Sequence, residues 1–485
     1  MATISEALET GTAHHQAGRL EEAADIYRQI LAVAPDQAQA WHLLGLVARQ
    51  WGELDLAVQY MGRAVELEPG YAEAHSNLGD AWQQWGELAR AEGCFRRAVQ
   101  LKPQFVEAHY NLGNVLKQSG RLEEAERSYR QVLELAPEYV NAHNNLGHAL
   151  YEQGRYDEAG EFFRRAQELD PNHAEAHGNL SHLLLLKGDF EAGWREYEWR
   201  WKSRDLRPRE FEQPRWNGGP LAGRTILLHA EQGLGDTIQF VRYAPFLKSV
   251  GAQVFLECPA ALKRLLASCD GIDRLIGLGE DLPAFDVHAP LLSLPGIFRT
   301  TLETIPEKVP YLHADPSLVN SWRGKLAGER GFRIGINWRG RSGVGSFVLR
   351  DVPLSCFTGL AALPGVLLIS LQQGEGRQEL AGAGEQVQIV DLGANIDQEH
   401  GAFMDTAAIM KNLDLVITSD TSIPHLAGAL GVPVWLALPF VPDWRWQLAR
   451  EDSPWYPTMR LFRQTSAGDW AKVFEEMRAA LEEKV

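Results

Sequence analysis

Along the first two-fifths of the chain, apolar and small residues return in the same phase every 34 positions. Pro35, Pro69, Pro103, Pro137 and Pro171 keep that spacing, as do Gly18, Gly52, Gly86, Gly120, Gly154 and Gly188. Leu-Gly recurs in step at Leu44-Gly45, Leu78-Gly79, Leu112-Gly113 and Leu146-Gly147. Val106-Glu-Ala-His-Tyr-Asn-Leu-Gly113, continuing through Gly120 to Leu135-Ala-Pro137, reads as two antiparallel helices with glycine at the first turn and proline closing the second. Small residues such as Gly113 and Ala125 let the helices approach, and no single unit can bury its apolar face without neighbours. Five units cover 4–173 and a sixth, degenerate one follows from 174 to 202. Beyond it the period stops. A polar segment containing Pro and Gly, 203–223, leads into short β-type runs alternating with helical ones: 226–230, 236–250, 253–257, 261–268, then 333–337, 366–371, 387–392, 413–418 and 432–438. Alternation of this kind predicts parallel sheets built from βαβ units. The expected fold class is therefore α + α/β, a helical repeat array over 1–202 and two α/β halves, 224–330 and 331–485, with a cleft between them. A last helix, 469–483, is expected to pack back across a domain, and Trp199, Trp201 and Trp216 to join repeats to the α/β part, because large rings need burial.

The 34-residue phase resembles the tetratricopeptide repeat, whose solenoids present a concave groove to peptides and protein partners. Asn77, Asn111, Asn145 and Asn179 recur at one position per repeat, with Leu43 interrupting the series in the second unit. In the tetratricopeptide arm of protein O-GlcNAc transferases, similarly placed asparagines bond an extended peptide backbone, so the resemblance implies a peptide groove here. The alternative is that each asparagine bonds a neighbouring helix. His75, His109, His143 and His177 recur too, but one per repeat sets them roughly 10 Å apart, too far to share a metal at about 2 Å metal–nitrogen distances. They are expected to pack between helices.

Composition narrows the function classes. With 45% apolar and 23% charged residues over 485 positions, the chain reads as a globular protein of two or three domains. A formal charge of −17 argues against coating nucleic acid. Cys94, Cys258, Cys269 and Cys356 form no CxxC pair, so neither a disulfide framework nor a zinc ribbon is expected. No secretory leader or membrane span is legible, and a reducing cytoplasm is the expected location.

The candidate chemistry gathers at two turns. Thr418-Ser-Asp-Thr-Ser-Ile-Pro-His425 follows the apolar run 413–417 and precedes Leu426-Ala-Gly-Ala-Leu-Gly431, the pattern of strand, tight turn and helix start. The first N–H groups of such a helix are unpartnered and lie at its positive end, so a diphosphate fits there, with the Thr421 and Ser422 hydroxyls as further donors. A plain helix cap is the competing reading. Gly233-Leu-Gly-Asp236 marks the other turn. With Glu257 ending the next run it imitates a dinucleotide fingerprint, but Ile238 stands where the third glycine belongs and Asp236 would repel a pyrophosphate. A carboxylate there is instead placed to take a proton from an acceptor hydroxyl.

Together, Gly233-Leu-Gly-Asp236 and Asp420-Thr-Ser-Ile-Pro-His425 resemble the bacterial heptosyltransferase-like glycosyltransferases, over about residues 224–485. The match is closer to bacterial proteins that fuse a tetratricopeptide arm to such a domain. It extends to Gly335-Ile-Asn-Trp-Arg-Gly340, Arg350-Asp-Val-Pro353, Ser370-Leu-Gln-Gln-Gly374, Asp405-Thr-Ala-Ala408 and Pro439-Phe-Val-Pro-Asp-Trp-Arg-Trp446, with Gln373 where a lysine is often seen. The resemblance implies a GT-B fold of two Rossmann-like halves and an inverting glycosyltransferase. In it Asp236 acts as base, Gly233 and Gly235 form the acceptor-side turn, and the turn carrying Asp420, Thr421, Ser422 and His425 holds a nucleotide diphosphate sugar. Arg339, Arg341 and Arg350 are the candidate clamp for departing diphosphate, guanidinium geometry being suited to phosphate. Trp338 stacks on base or sugar, or lies in the core; His425 bonds phosphate or ribose, or a neighbouring carbonyl; Asp405-Thr406 caps a helix or lines the cleft. No His and carboxylate cluster with metal spacing is found, so metal-independent transfer without a cofactor is expected, on a protein or peptide acceptor held by the repeats. Two rivals stand beside it: a scaffold whose inactive second part senses nucleotide sugars, and a transferase for a glycan or lipid acceptor.

Overall fold

A computed structural model describes residues 3–203, 208–340, 350–382 and 389–485. The chain divides into two compact units, Met1–Ala176 and His177–Val485. Twelve helices open it in pairs: α1 (Ile4–Gln16) with α2 (Leu20–Val33), α3 (Ala38–Gln50) with α4 (Leu54–Leu67), α5 (Ala72–Gln84) with α6 (Leu88–Leu101), α7 (Val106–Gln118) with α8 (Leu122–Leu135), α9 (Val140–Glu152) with α10 (Tyr156–Leu169), and α11 (Ala174–Leu186) with α12 (Phe190–Tyr197). Five pairs make the first unit, and nearly all of the sixth belongs to the second.

Two glycine positions set the geometry of the first five pairs. Gly120 follows α7 at φ +72°, where its N–H bonds Lys117 O and the next N–H, of Arg121, bonds Leu116 O, the closing pattern of a helix ended by a left-handed residue. Gly113, inside α7, faces α8 so closely that a Cβ would lie 2.5 Å from Tyr129 Cε1. Gly79 and Gly147 stand likewise against Phe95 and Phe163. The Leu-Gly phase therefore marks where one helix receives a large side chain of its partner, Met61 at Gly45 and a ring at Gly79, Gly113 and Gly147.

The second unit holds two parallel sheets. The first contains β1 (Thr225–His229), β2 (Gln253–Cys258), β3 (Arg274–Gly277) and β4 (Val287–Pro290) in the order β3-β2-β1-β4. Around it lie α13 (Leu234–Phe240), α14 (Ala244–Ser249), α15 (Lys263–Leu266) and α16 (Leu294–Ile297). The second contains β5 (Phe332–Asn337), β6 (Val366–Ser370), β7 (Ile389–Asp391), β8 (Leu415–Ser419), β9 (Val434–Leu438) and β10 (Met459–Arg463) in the order β10-β9-β8-β5-β6-β7. With it go α17 (Pro316–Lys325), α18 (Thr358–Ala361), α19 (Met404–Met410), α20 (Ser422–Ala429) and α21 (Trp470–Glu482). β8 and β9 are buried along their whole length, which is why they read as unbroken apolar runs. α21 packs on α18 and β10, so the last helix serves the core of the second sheet, into which it sends Trp470, Phe474 and Met477. Among the described residues no helix is long and apolar enough to cross a membrane.

The aromatic joint of the second unit differs from the sequence expectation. Trp194 of α12 carries it, donating to Thr300 O at 3.1 Å and meeting Trp444 edge-on at 5.2 Å between ring centres. Trp199 stacks instead on His177, Trp201 lies against the guanidinium groups of Arg200 and Arg215, and Trp216 packs on Phe298. Trp199 and Trp201 are spent on near neighbours in the chain, and Trp194, with the longer reach, precedes them by a helical turn or more.

Candidate functional site

In open parallel sheets the strand order reverses at one point, and the crevice beyond the strand ends there is the usual ligand site. In the first sheet that point is β1 beside β4, and Gly233-Leu-Gly-Asp236 follows β1. In the second it is β5 beside β8, where β5 leads into Trp338-Arg-Gly340 and β8 into Asp420-Thr-Ser422. The two turns meet. α13 packs on α20, and a Cβ on Gly235 would lie 3.0 Å from His425 Cδ2 and 3.4 Å from Ser422 Cα.

Gly233 caps α13 from an extended backbone, and its N–H donates to Asp236 Oδ2 at 2.8 Å. The other oxygen of Asp236 accepts from Arg445 Nη2 at 2.5 Å. Arg445 also donates to Asp443 Oδ1 at 2.9 Å and, through Nε, to Gln239 Oε1 at 2.6 Å. Arg350 lies 3.8 Å from both Asp443 and Asp420. Aspartates and arginines thus alternate in one line: Asp236, Arg445, Asp443, Arg350, Asp420. Burial alone would raise the Asp443 carboxyl, but the charges of Arg445 and Arg350 overcome that and hold it well below the usual carboxylate range. At Asp420 burial wins over the Arg350 charge and the Trp446 N–H, and its pKa is raised. Burial opposes the charge on Arg445, yet Asp443 and Asp236 together keep it firmly protonated.

Thr421 is the N-cap of α20, its hydroxyl accepting from Ile423 N at 3.2 Å and donating to Asn337 Oδ1 at 3.1 Å. Ser422 begins the helix and is half-buried. His425 is buried with its ring stacked on Trp446, and Nδ1 pairs with the Tyr456 hydroxyl at 2.9 Å. Burial first, and then the nearby Arg445 charge, depress its pKa well below the ordinary value, so the ring is neutral. Arg339 is half-buried and already paired, Nε to Asp351 at 3.0 Å and Nη1 to Glu379 at 3.0 Å. Trp338 is fully buried in the core of the second sheet, which leaves its ring no face for a base or sugar. Arg341 lies outside the described residues. Asp405 accepts from Trp322 Nε1, Asp397 N and His400 Nδ1, while Asp397 caps Thr406; both serve the start of α19.

Sequence reasoning passed over four contributors. Arg445 and Asp443 sit in Pro439-Phe-Val-Pro-Asp-Trp-Arg-Trp446, and the signal was a pair of opposite charges inside an otherwise aromatic run. Gln372, beside the singled-out Gln373, is buried; its Oε1 accepts from Asn337 Nδ2, Trp338 N and Arg339 N, and its Nε2 donates to Arg339 O and Glu375 O. It shapes the loop after β5, a task no periodicity announces. His182 of α11 keeps solvent access, yet crowding by the surrounding protein lowers its pKa and the charges of Asp443, Arg445 and Arg350 act on it.

In the repeats, Asn77 Nδ2 meets His42 Nε2 at 2.8 Å, Asn111 donates to Asp80 at 2.7 Å, and Asn145 donates to Asn114 at 2.9 Å and to the Tyr110 hydroxyl at 3.0 Å. Each partner belongs to the preceding helix pair. Asn179 lies in the second unit and is half-buried. His75, His109 and His143 hold the carbonyls of Pro69, Pro103 and Pro137 at 3.2, 2.9 and 2.8 Å, and Trp41 does the same for Pro35 at 2.8 Å. The recurring ring is a clasp on the proline turn. Among the described residues no three His, Cys, Asp or Glu side chains converge as metal ligands.

The family models that match lie within the first unit. The tetratricopeptide-repeat family model matches residues 8–72 and 110–174, and a further TPR-repeat model matches 84–120. Protein FlbA of Caulobacter vibrioides is 27% identical over 324 residues, covering 61% of this chain and 52% of FlbA. The chain thus spans about half the length of that curated relative. Among solved structures, MamA is 25% identical over 36% of this chain and 94% of its own, with a TM-score of 0.32. YrrB, described as a TPR protein with an unusual peptide-binding site, is 22% identical over 36% of this chain and 90% of its own, with a TM-score of 0.33. PilF of Pseudomonas aeruginosa is 20% identical over 41% and 90%, with a TM-score of 0.38. The helix pairs that open the chain are tetratricopeptide repeats.

Proposed function

We propose that the second unit is a glycosyltransferase of the GT-B kind, moving a sugar from a nucleotide diphosphate donor to a hydroxyl, on a protein or peptide held by the repeats. The observation that carries the reading is the meeting of Asp236, at one sheet's reversal point, with the α20 turn at the other's. Asp236 takes the proton of the acceptor hydroxyl as that oxygen bonds to the anomeric carbon, and the bond from that carbon to the diphosphate breaks. Charge accumulating on the leaving diphosphate is met by Arg350, by the first N–H groups of α20 and by the Ser422 hydroxyl, fixed donors in a largely dry site. A single displacement inverts the anomeric centre, and arginines with helix N–H groups do the work that a cation does elsewhere. The tetratricopeptide repeats suggest a polypeptide partner.

Thermal unfolding against ADP, UDP, GDP and CMP donors and their sugars tests this. A nucleotide at 100 times its dissociation constant adds about 2.7 kcal/mol of stability. One of them is expected to stabilise the wild type and to lose that effect in Arg350→Ala; no shift from any would overturn the reading. The ion pair that engages Asp236 favours a second reading, nucleotide binding without transfer. Asp236→Asn separates the two, since an in-cell role that survives the change does not use this base.

A further inference from the structure

Arg445 is the most committed side chain in the site. Its side chain is 8% exposed, it bonds Asp236 of the first half and Asp443 of the second, and a third bond to Gln239 fixes its plane. Both oxygens of Asp236 are engaged, Oδ1 by Arg445 at 2.5 Å and Oδ2 by the Gly233 N–H at 2.8 Å. A base for transfer has to leave that partner. The only strong competitor that the proposed chemistry brings is the donor's diphosphate, and Arg445 stands next to where it would lie: Gly235, one residue before Asp236, touches Ser422 and His425 at the start of α20, and the Arg445 charge acts on both His425 and Asp420.

We propose that Asp236 and the donor diphosphate compete for Arg445, so that donor binding draws the guanidinium from the aspartate and frees Asp236 to act as base. The inference rests on the transferase reading above and adds to it a positioning residue and an order of events, donor before acceptor. The two arginines and three aspartates form a charge ladder that a diphosphate enters as a fourth anion. Asp443, which keeps its charge, holds the other side of Arg445 throughout, so the arginine turns about that anchor and does not swing free. Arg350, 3.8 Å from both Asp443 and Asp420, lies on the other side of that anchor.

The test is a binding cycle on the full chain that needs no acceptor. The nucleoside diphosphate that stabilises the wild type is titrated calorimetrically into wild type, Asp236→Asn, Arg445→Lys and the double variant, each first checked for a cooperative melt. Competition predicts that Asp236→Asn binds the diphosphate about tenfold more tightly than wild type, a gain equivalent to about 1.4 kcal/mol. In the Arg445→Lys background, where the guanidinium contact to Asp236 is already lost, the same change is expected to gain less than about threefold. An equal gain in both backgrounds means that Asp236 merely repels the ligand, and overturns the proposal. No gain in either overturns it as well, while leaving the donor site in place. Binding of none of the diphosphates to wild type removes the transferase reading itself. If Arg445→Lys does not fold, Asp443→Asn takes its place: loss of the anchor is expected to weaken diphosphate binding and to abolish the gain from Asp236→Asn, and a full gain there overturns the proposal.

Discussion

Glu231, two residues past β1, is buried with Arg200 at 2.9 Å, and burial lifts its carboxyl from 4.5 to about 7 despite that partner. Between those values the folded chain binds more protons than the unfolded one, so stability falls as pH rises from about 4.5 to 7. At 1.36 kcal/mol per pH unit the change is roughly 3 kcal/mol. His229, held neutral by burial with a pKa near 3, acts in the opposite sense, costing stability as pH falls below 6.5. A difference measurement removes it. Subtracting the denaturation free energy of Glu231→Gln from that of wild type across this range is expected to leave a slope falling with pH; a flat difference would show that Glu231 is ionised throughout. Gly113 offers a second check at this scale. A methyl placed 2.5 Å from Tyr129 has to displace a buried ring, and Gly113→Ala is expected to destabilise by about 1–3 kcal/mol. Gly120→Ala, with open space around it, carries only the backbone strain of φ +72°, about 1 kcal/mol. Urea denaturation of the pair distinguishes overpacking from strain, because only overpacking makes the first loss clearly exceed the second.

Between elements, the contact of α13 with α20 governs the candidate site, and Gly235 is its narrowest point. A Cβ there requires His425 to yield by a few tenths of an ångström, which presses the Asp236 turn against the α20 turn. On the proposed transferase reading, Gly235→Ala is therefore expected to fold, to bind nucleotide as the wild type does and to lose turnover by about tenfold or more, as small misplacements of reacting groups do. Comparing kcat with the nucleotide Kd checks it: equal losses in both would place the fault in donor binding. The sequence spoke clearly wherever one element's own residues determine its form. The 34-residue phase is legible because successive helix pairs repeat one contact, a glycine against a large side chain of the partner helix (Tyr27, Met61, Phe95, Tyr129, Phe163), and the β-runs are legible because parallel strands are apolar on both faces. Contacts between distant segments carry no such signature. Arg445 joins Asp236 across 209 positions and Gln372 grips the β5 loop across 33, and neither spacing is a period. Trp338 and Arg339 show the converse, since a motif names residues without saying which way they point. One is buried in the core and the other is paired with Asp351 and Glu379.

At the scale of the molecule, the point where the chain can be divided is not where its repeat ends. Periodicity stops near residue 202, yet the compact units part between Ala176 and His177. The reason lies in what α12 and the turn after it bury. Trp194 bonds Thr300 and packs on Trp444, Tyr197 takes a bond from Gln232, and Arg200, 8% exposed, bonds Glu231 and Ser293. Cutting at 202 strips these from the second unit, removing the guanidinium that bonds Glu231 and Ser293 together with the Trp194 bond to Thr300 and its packing on Trp444. Cutting at 176 leaves every one of those contacts intact. Residues 177–485 are therefore expected to give a soluble chain with a single cooperative melt and the nucleotide response of the full protein, and residues 203–485 to aggregate or melt without cooperativity. Circular dichroism and calorimetry of the two fragments check it. A well-folded 203–485 would show that α11 and α12 are passengers on the second unit. If 177–485 binds nucleotide and hydrolyses or transfers its sugar but no longer modifies a polypeptide, the first five repeats are the acceptor's holder. If it modifies the polypeptide as well as the full chain does, that role passes to the second unit.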